Sequence, residues 1–170
     1  AVGLGTAAFA MQDVLLEPYG GQIMQMSVGS TTILTAALAG GTLIAFAIAA
    51  EYLGLGMDAC RVAAYGAIVG LLAFTLVIFA APLESVPLFF VGTALIGFGG
   101  GLFSVGTLTA AMSLENHGYS GLALGAWGAV QASAAGIAIA VGGALRDFVS
   151  GLAAQGLLGP ALTGPATGYG

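Results

Sequence analysis

Residues 87–112 decide the fold: they read PLFFVGTALIGFGGGLFSVGTLTAAM and contain no charged side chain. A membrane-spanning helix needs about 20 mostly apolar residues, because inside hydrocarbon the backbone has to satisfy its own hydrogen bonds. The stretch meets that length, and it is too long for a barrel strand and lacks the alternation of one. It therefore predicts a transmembrane α-helix that carries glycines along its length.

Comparable apolar runs lie on both sides of this stretch. Together with 87–112, we expect helices at about residues 1–16, 30–50, 61–81 and 121–145. The joints between the runs are short, so neighbouring helices should be antiparallel. After Arg146 and Asp147 the chain becomes rich in Gly and Pro, and residues 151–170 are expected to form a loop. The predicted fold is all-α: a polytopic membrane bundle of about five transmembrane helices over residues 1–150.

The composition supports the same class. Of 170 residues, 59% are hydrophobic and 5% are charged, with a mean hydropathy of +1.07. A soluble domain carries about a quarter charged residues, so lipid has to be the solvent for most of this surface. The net charge of −5 argues against nucleic acid as a partner, and the single cysteine, Cys60, excludes an intrachain disulfide. Because the sequence starts at Ala1 within an apolar run, we expect a piece of a longer protein.

Small residues recur at helical spacing within the apolar runs. Gly66 with Gly70, and Gly97 with Gly101, form GxxxG pairs. The last predicted helix carries two interleaved rows, Gly121, Gly125, Ala129, Ser133 and Gly128, Ala132, Gly136, Ala140. Such rows let helices approach closely. They serve either packing within the bundle or a surface for a flat macrocycle or a partner helix.

Polar side chains at the end of the first apolar run form the first candidate site. Gln12, Asp13 and Glu17 lie there, and the two carboxylates are four residues apart, on one face of a helix. A carboxylate within a span is costly and usually faces a cavity, a pathway or a partner. Three interpretations stay open: an interfacial helix end that reaches water, a gate or partner contact, and a proton or cation site.

The second group of candidates lies in and before the last predicted helix. Gln131 is placed mid-span, with Trp127 one turn earlier. A lone amide in a span usually bonds to a neighbouring helix, and a ligand contact is the alternative. His117, the only histidine, lies in the polar segment before this helix. It is either solvated or a ligand for the magnesium of a chlorin.

Soluble-enzyme chemistry has no recognisable residue set in this sequence. No group of Cys, His or carboxylates has the spacing of a transition-metal site. The glycines of residues 97–101 follow no strand, so they do not form a phosphate loop, and no nucleophile–base pair is evident. We therefore expect neither a catalytic site nor a metal site.

Residues 11–22, MQDVLLEPYGGQ, form a long and unusual string. It resembles a segment of the PucC and LhaA proteins of purple phototrophic bacteria, the bacteriochlorophyll-delivery branch of the major facilitator superfamily. Residues 97–108, 121–131 and 165–170 are also similar to that family, so the resemblance covers essentially the whole chain. The residues that carry the motif are Met11, Gln12, Asp13, Glu17, Pro18, Tyr19, Gly20 and Gly21.

The resemblance implies a twelve-helix facilitator fold, of which this chain is the C-terminal half, the seventh to eleventh helices, without the last span. It implies an assembly factor for light-harvesting complexes in the bacterial inner (intracytoplasmic photosynthetic) membrane. Bacteriochlorophyll would be a transient ligand, and light-harvesting and reaction-centre polypeptides and membrane lipids would be the partners. The alternatives are a proton- or ion-coupled secondary transporter and a structural subunit of a photosynthetic complex.

Overall fold

The computed structural model describes residues 2–12, 16, 28–80, 82–113 and 120–154. Within these ranges the chain forms five α-helices and no strand: α1 (Val2–Ala10), α2 (Val28–Gly54), α3 (Ala59–Ala80), α4 (Val86–Ser113) and α5 (Ser120–Ala154). By length and composition, four of these helices can cross a membrane, over Thr32–Gly54, Ala59–Ala80, Val86–Ser113 and Gly121–Leu152. The predicted class, a polytopic all-α membrane protein, is confirmed.

The last helix is longer than the sequence indicated. We expected it to end near residue 145 and a loop to begin at 151, but α5 continues to Ala154. The charged pair that suggested the boundary is compatible with a helix, because the Arg146 guanidinium bonds to Asp147 Oδ1 at 2.9 Å on the surface. Residues 155–170, the rest of the expected loop, lie outside the described residues.

The turn between α2 and α3 has recognisable stop and start signals. Gly56 adopts a φ of +87°, and the Met57 amide donates to the Tyr52 carbonyl at 3.0 Å, as in a Schellman motif. Asp58 then caps α3, because its Oδ1 accepts from the amides of Cys60 at 2.8 Å and Arg61 at 3.2 Å. These bonds satisfy backbone groups that the helix ends would otherwise leave unpaired.

The turn between α3 and α4 is tighter and carries some strain. Glu84 adopts a φ of 49°, and the following Ser85 amide donates to the Ala80 carbonyl at 3.0 Å. The Ser85 hydroxyl accepts from the Leu88 amide at 3.4 Å, which caps α4, and Pro87 falls in the first turn, where a proline is tolerated. Glu84 thus occupies a left-handed position that glycine usually fills.

Helix α4 is the centre of the bundle. It packs extensively against both α2 and α3, which have few direct contacts with each other, while α1 packs chiefly against α5. Half of the most apolar window of α4 is buried (50%), against 11% for α5. Phe89, Thr93 and Ile96 of α4 are fully buried. The bundle therefore consists of an α2–α3–α4 unit and an α1–α5 pair that touches it mainly through α4.

The glycines of α4 face different neighbours. A Cβ at Gly97 would collide with the Leu38 carbonyl of α2. A Cβ at Gly41 of α2 would likewise collide with the Ala94 carbonyl of α4. A Cβ at Gly99 would lie 2.8 Å from the Gly66 carbonyl oxygen of α3, so this crossing also brings two backbones together. The GxxxG pairs predicted from the sequence therefore lie at helix crossings, as small residues permit.

The small-residue rows of α5 behave differently. A Cβ built at Gly121, Gly125, Gly128 or Gly136 would meet no described atom within 4 Å. Packing within this part of the chain does not explain these glycines, because they line a face that the described helices leave uncovered.

Candidate functional site

A cavity of about 240 Å³ lies where α1, α2, α4 and α5 meet. Its walls combine aromatic and aliphatic side chains with a few polar ones, and it is partly open. The polar residues that line it are Thr6, Gln12, Thr42, Ser104 and Gln131. Four of the predicted transmembrane segments thus converge on one largely apolar space whose wall contains these polar residues.

Two of the predicted site residues come together here. Gln12, just after α1, and Gln131, near the middle of α5, both line the cavity although they are far apart in the sequence. The packing of α1 on α5 brings them together: Gly3 of α1 lies against Val130, where a Cβ would be 3.5 Å from the valine methyl. The sequence identified both amides as candidates, and in the structure both line the same cavity.

Two lining side chains have donors that no described group satisfies. The Gln131 Nε2 and the Thr6 Oγ1 are buried atoms without a hydrogen-bond partner among the described residues. Thr6 as a whole is 9% exposed. Buried polar groups in proteins are nearly always bonded, so an exception identifies a place where a ligand or water is expected.

Thr42 lines the same cavity but is already paired. Its hydroxyl lies 3.0 Å from the carbonyl oxygen of Leu38 in its own helix and 3.0 Å from that of Gly97 in α4. The hydroxyl therefore joins α2 to α4 at the glycine crossing. Its role is to hold the wall in place, whereas Gln131 and Thr6 are lining residues with a buried donor that no described group satisfies.

Phe9 forms the apolar wall between the cavity and the glycine crossings. Its ring centroid is 5.8 Å from that of Phe103 and 6.1 Å from that of Phe74, with both ring pairs tilted by 40°. Cβ atoms added at Gly70 and Gly100 would meet the same ring at 2.5 Å and 3.4 Å. A Cβ at Gly70 would collide with the ring, whereas one at Gly100 would only touch it, so the ring occupies space that Gly70 leaves open.

Trp127 does not line the cavity. Its Nε1 donates to the Thr107 hydroxyl at 3.3 Å, so it joins α5 to α4 one turn away from Gln131. Trp127 thus makes a polar bond to a neighbouring helix, and the same prediction for Gln131 stays a prediction. Trp127 stays a candidate for a partner or pigment contact, which no described contact tests.

Several predicted site residues lie outside the described residues. They are Asp13, Glu17 and His117, and the motif residues Pro18, Tyr19, Gly20 and Gly21. Met11 is described: it is 37% exposed, and its side chain lies against Gly142 of α5, where a Cβ would be 3.5 Å from the methionine methyl. No group of His, Cys, Asp and Glu able to hold a metal ion occurs within the described part of the chain.

Sequence reasoning missed Thr6, Thr42 and Ser104. A hydroxyl in an apolar helix usually bonds the carbonyl four residues back, as Thr93 does to Phe89 at 2.9 Å, so such residues rarely signal a site. The spacing of Thr6, Phe9 and Ala10 puts them on one helix face. Because α1 is apolar all round, that spacing gave no indication of which face points inward.

A second hollow lies at the turn between α2 and α3. Tyr52, Leu55, Asp58 and Arg61 are among the residues that line it, and it opens outward over about 530 Å³. Leu55 is 78% exposed, so the hollow is a groove at the helix ends and not an interior cavity. An aromatic and an arginine beside exposed apolar groups suit the lipid headgroup region.

Four apolar helices long enough to span a membrane define a multi-pass helical membrane protein with an internal cavity that carries a few polar residues. The sequence model of the PUCC protein family matches residues 1–170, and the chain belongs to that family.

Individual relatives agree with this assignment. The chain is 57% identical over 148 residues to Protein PucC of Rhodovulum sulfidophilum, an alignment that covers 87% of this chain and 33% of that protein. It is 54% identical over 168 residues to an uncharacterized protein in the puhA-bchM intergenic region of Rhodobacter capsulatus, covering 99% of this chain and 35% of that protein.

A more distant relative is named the bacteriochlorophyll synthase 44.5 kDa chain of Rhodobacter capsulatus, at 30% identity over 158 residues, or 86% of this chain and 35% of that protein. The chain therefore spans about a third of the length of the curated relatives it matches. No solved structure matches it.

Proposed function

We propose that the protein containing this chain is an assembly factor for bacterial photosynthetic complexes, which binds or delivers bacteriochlorophyll and contacts antenna polypeptides. The observation that carries the proposal is membership of the PUCC family over residues 1–170. The names of relatives point the same way, since one is called a bacteriochlorophyll synthase chain and another lies in a puhA-bchM intergenic region.

The surface of the bundle suits such a ligand. Bacteriochlorophyll combines a flat ring with a long apolar tail, and the uncovered face of α5 offers glycines that meet no described atom within 4 Å. Small residues permit close van der Waals contact with a flat partner, whether a ring or a second helix. The polar cavity beside this helix adds hydrogen-bonding groups inside an apolar region.

The proposal includes the setting of the chain. We place it in the bacterial inner (intracytoplasmic photosynthetic) membrane, as the seventh to eleventh helices, within the C-terminal half, of a facilitator-type bundle. Light-harvesting and reaction-centre polypeptides and membrane lipids are its partners, and nucleic acid is not. We assign no catalytic step to it, so a role in pigment synthesis would be one of delivery and not of bond formation.

Gentle purification of the full-length protein from a phototrophic membrane tests this function. We expect bacteriochlorophyll in a simple ratio to the protein, measured by absorption and by extraction, together with antenna polypeptides identified by mass spectrometry. A colourless preparation without antenna polypeptides contradicts the proposal. A membrane protein of similar abundance, purified in parallel, controls for pigment that binds any detergent micelle.

A secondary transporter is the second candidate, and the internal polar cavity favours it. Four helices surround a space lined by Gln12 and Gln131, which is where a transported solute would bind. This function requires Asp13 or Glu17 to titrate during transport, as a proton-coupled step does. Counterflow in proteoliposomes that is lost in Asp13→Asn would favour it over assembly.

A further inference from the structure

We propose that the cavity binds a carbonyl substituent at the edge of the pigment, through hydrogen bonds donated by Gln131 and Thr6, and does not enclose the ring. The inference rests on the proposed function and names the part of the ligand that this site recognises. In this inference the cavity takes one polar substituent of the pigment, and the plane of the ring stays outside the cavity.

The size of the cavity limits what enters. It measures about 240 Å³, whereas cavities that enclose drug-sized ligands measure about 300–1,000 Å³. A tetrapyrrole with an isoprenoid tail exceeds that ligand class, so only a substituent of it fits. The partly open side of the cavity lets a substituent enter while the ring stays outside.

The polarity of the unbonded groups specifies an acceptor. Nε2 of Gln131 can only donate, and the Thr6 hydroxyl can donate, and neither has a partner among the described residues. A carbonyl oxygen accepts through two lone pairs and cannot donate. A carbonyl oxygen can therefore accept from both donors, one on α5 and one on α1.

The lining also favours a neutral acceptor over an anion. Each described residue that lines the cavity is uncharged, and Phe9, Phe46 and Phe103 supply much of the wall. A carboxylate or phosphate in such surroundings would lose its hydration without an opposite charge to replace it. A ketone or ester oxygen loses far less, and the apolar atoms around it match the aromatic wall.

Matched variants of the full-length protein test the site. Gln131→Met and Thr6→Val keep the volume and remove the donors. We expect each variant to bind bacteriochlorophyll about three- to tenfold more weakly, since one hydrogen bond is lost, and the double variant weaker still. Vibrational spectra of the bound pigment resolve ketone, acetyl and ester carbonyls. The band that moves to higher frequency in the variants identifies which carbonyl the cavity holds.

Two controls separate the site from general packing. Thr93→Val removes a buried hydroxyl that bonds the Phe89 carbonyl and does not line the cavity, so affinity should not change. Thr6→Ser keeps the hydroxyl and should restore the carbonyl frequency. Because neither Gln131 Nε2 nor Thr6 Oγ1 bonds a described residue, the variants should fold normally, which thermal unfolding checks.

The outcomes distinguish this inference from the function on which it rests. Wild-type protein that binds pigment, with variants equal to it in affinity and carbonyl frequency, overturns the carbonyl site and leaves the function standing. Wild-type protein that binds no pigment overturns both. Weaker binding together with a shifted carbonyl band supports both.

Discussion

The indole nitrogen of Trp127 donates a hydrogen bond to the hydroxyl of Thr107 at 3.3 Å, which joins α5 to α4. The same hydroxyl lies 2.8 Å from the Phe103 carbonyl, so it accepts from one helix while it donates within the other. Gln131 follows Trp127 by one turn on α5. This bond is therefore one of the contacts that hold α5, the helix that carries Gln131, against α4.

A double-mutant cycle should measure this bond. We expect Trp127→Phe and Thr107→Val to show a coupling energy of about 0.6 kcal/mol, the average for polar contacts between membrane helices. The measurement is unfolding of the full-length protein in mixed micelles with increasing denaturing detergent, followed by circular dichroism. Coupling indistinguishable from zero would mean that the bond does not hold α5 against α4.

Gly99 should tolerate no side chain. In Gly99→Ala the new methyl would lie 2.8 Å from the Gly66 carbonyl oxygen and from the Gly70 nitrogen, and backbone cannot move aside as a flexible side chain can. We expect a loss of about 1–3 kcal/mol in unfolding free energy. The matched control is Gly136→Ala, which meets no described atom within 4 Å and should be neutral or slightly stabilising. Equal stability of the two variants would contradict the close crossing of α3 and α4.

Phe9 should contribute more to stability than an exposed phenylalanine. Phe9→Ala removes the ring that packs on Phe74, Phe103 and two glycines, and we expect a cost of about 3 kcal/mol from lost packing. Phe148→Ala, at a side chain 67% exposed, should change stability little. The same denaturing-detergent titration compares the two variants. An equal loss of unfolding free energy in both would contradict the packing role assigned to Phe9.

Replacing Glu84 by glycine should stabilise the folded protein. Its φ of 49° is costly for a residue with a Cβ, so Glu84→Gly should raise the unfolding free energy by about 1 kcal/mol. Glu84→Ala removes the same charge and keeps the Cβ, so it controls for electrostatics and should show no such gain. A gain of similar size in both variants would assign the effect to the charge and not to the backbone.

The helical class, the approximate positions of the spans and the glycine crossings follow from local properties of the sequence. Long uncharged runs and GxxxG spacing need no knowledge of the partner helix, which is why Gly66 and Gly97 were recognisable. The predicted end of α5 was wrong because Arg146 and Asp147 were interpreted as a helix boundary. They are instead a surface pair within a continuing helix.

The assembly of the site was not predictable from the sequence. Soluble helices reveal their inner face through amphipathicity, but helices that are apolar all round carry no such signal. Gln12 and Gln131 were recognised as unusual, yet only the packing of α1 on α5 brings them to one cavity. Thr6 carried no signal, because a threonine in an apolar helix ordinarily satisfies its own hydroxyl.

The central position of α4 also limits how the length of this protein can change. Successive residues of a helix are separated by about 100° of rotation, so one residue inserted before Gly97 would turn the rest of α4 by that angle. Gly97 would then no longer face Leu38, and Gly99 would no longer face Gly66, so both close helix contacts would be disrupted by one insertion. Insertions and deletions should therefore be tolerated in the turns and not within α4. The spacing of the α4 glycines should be as constrained as their identity.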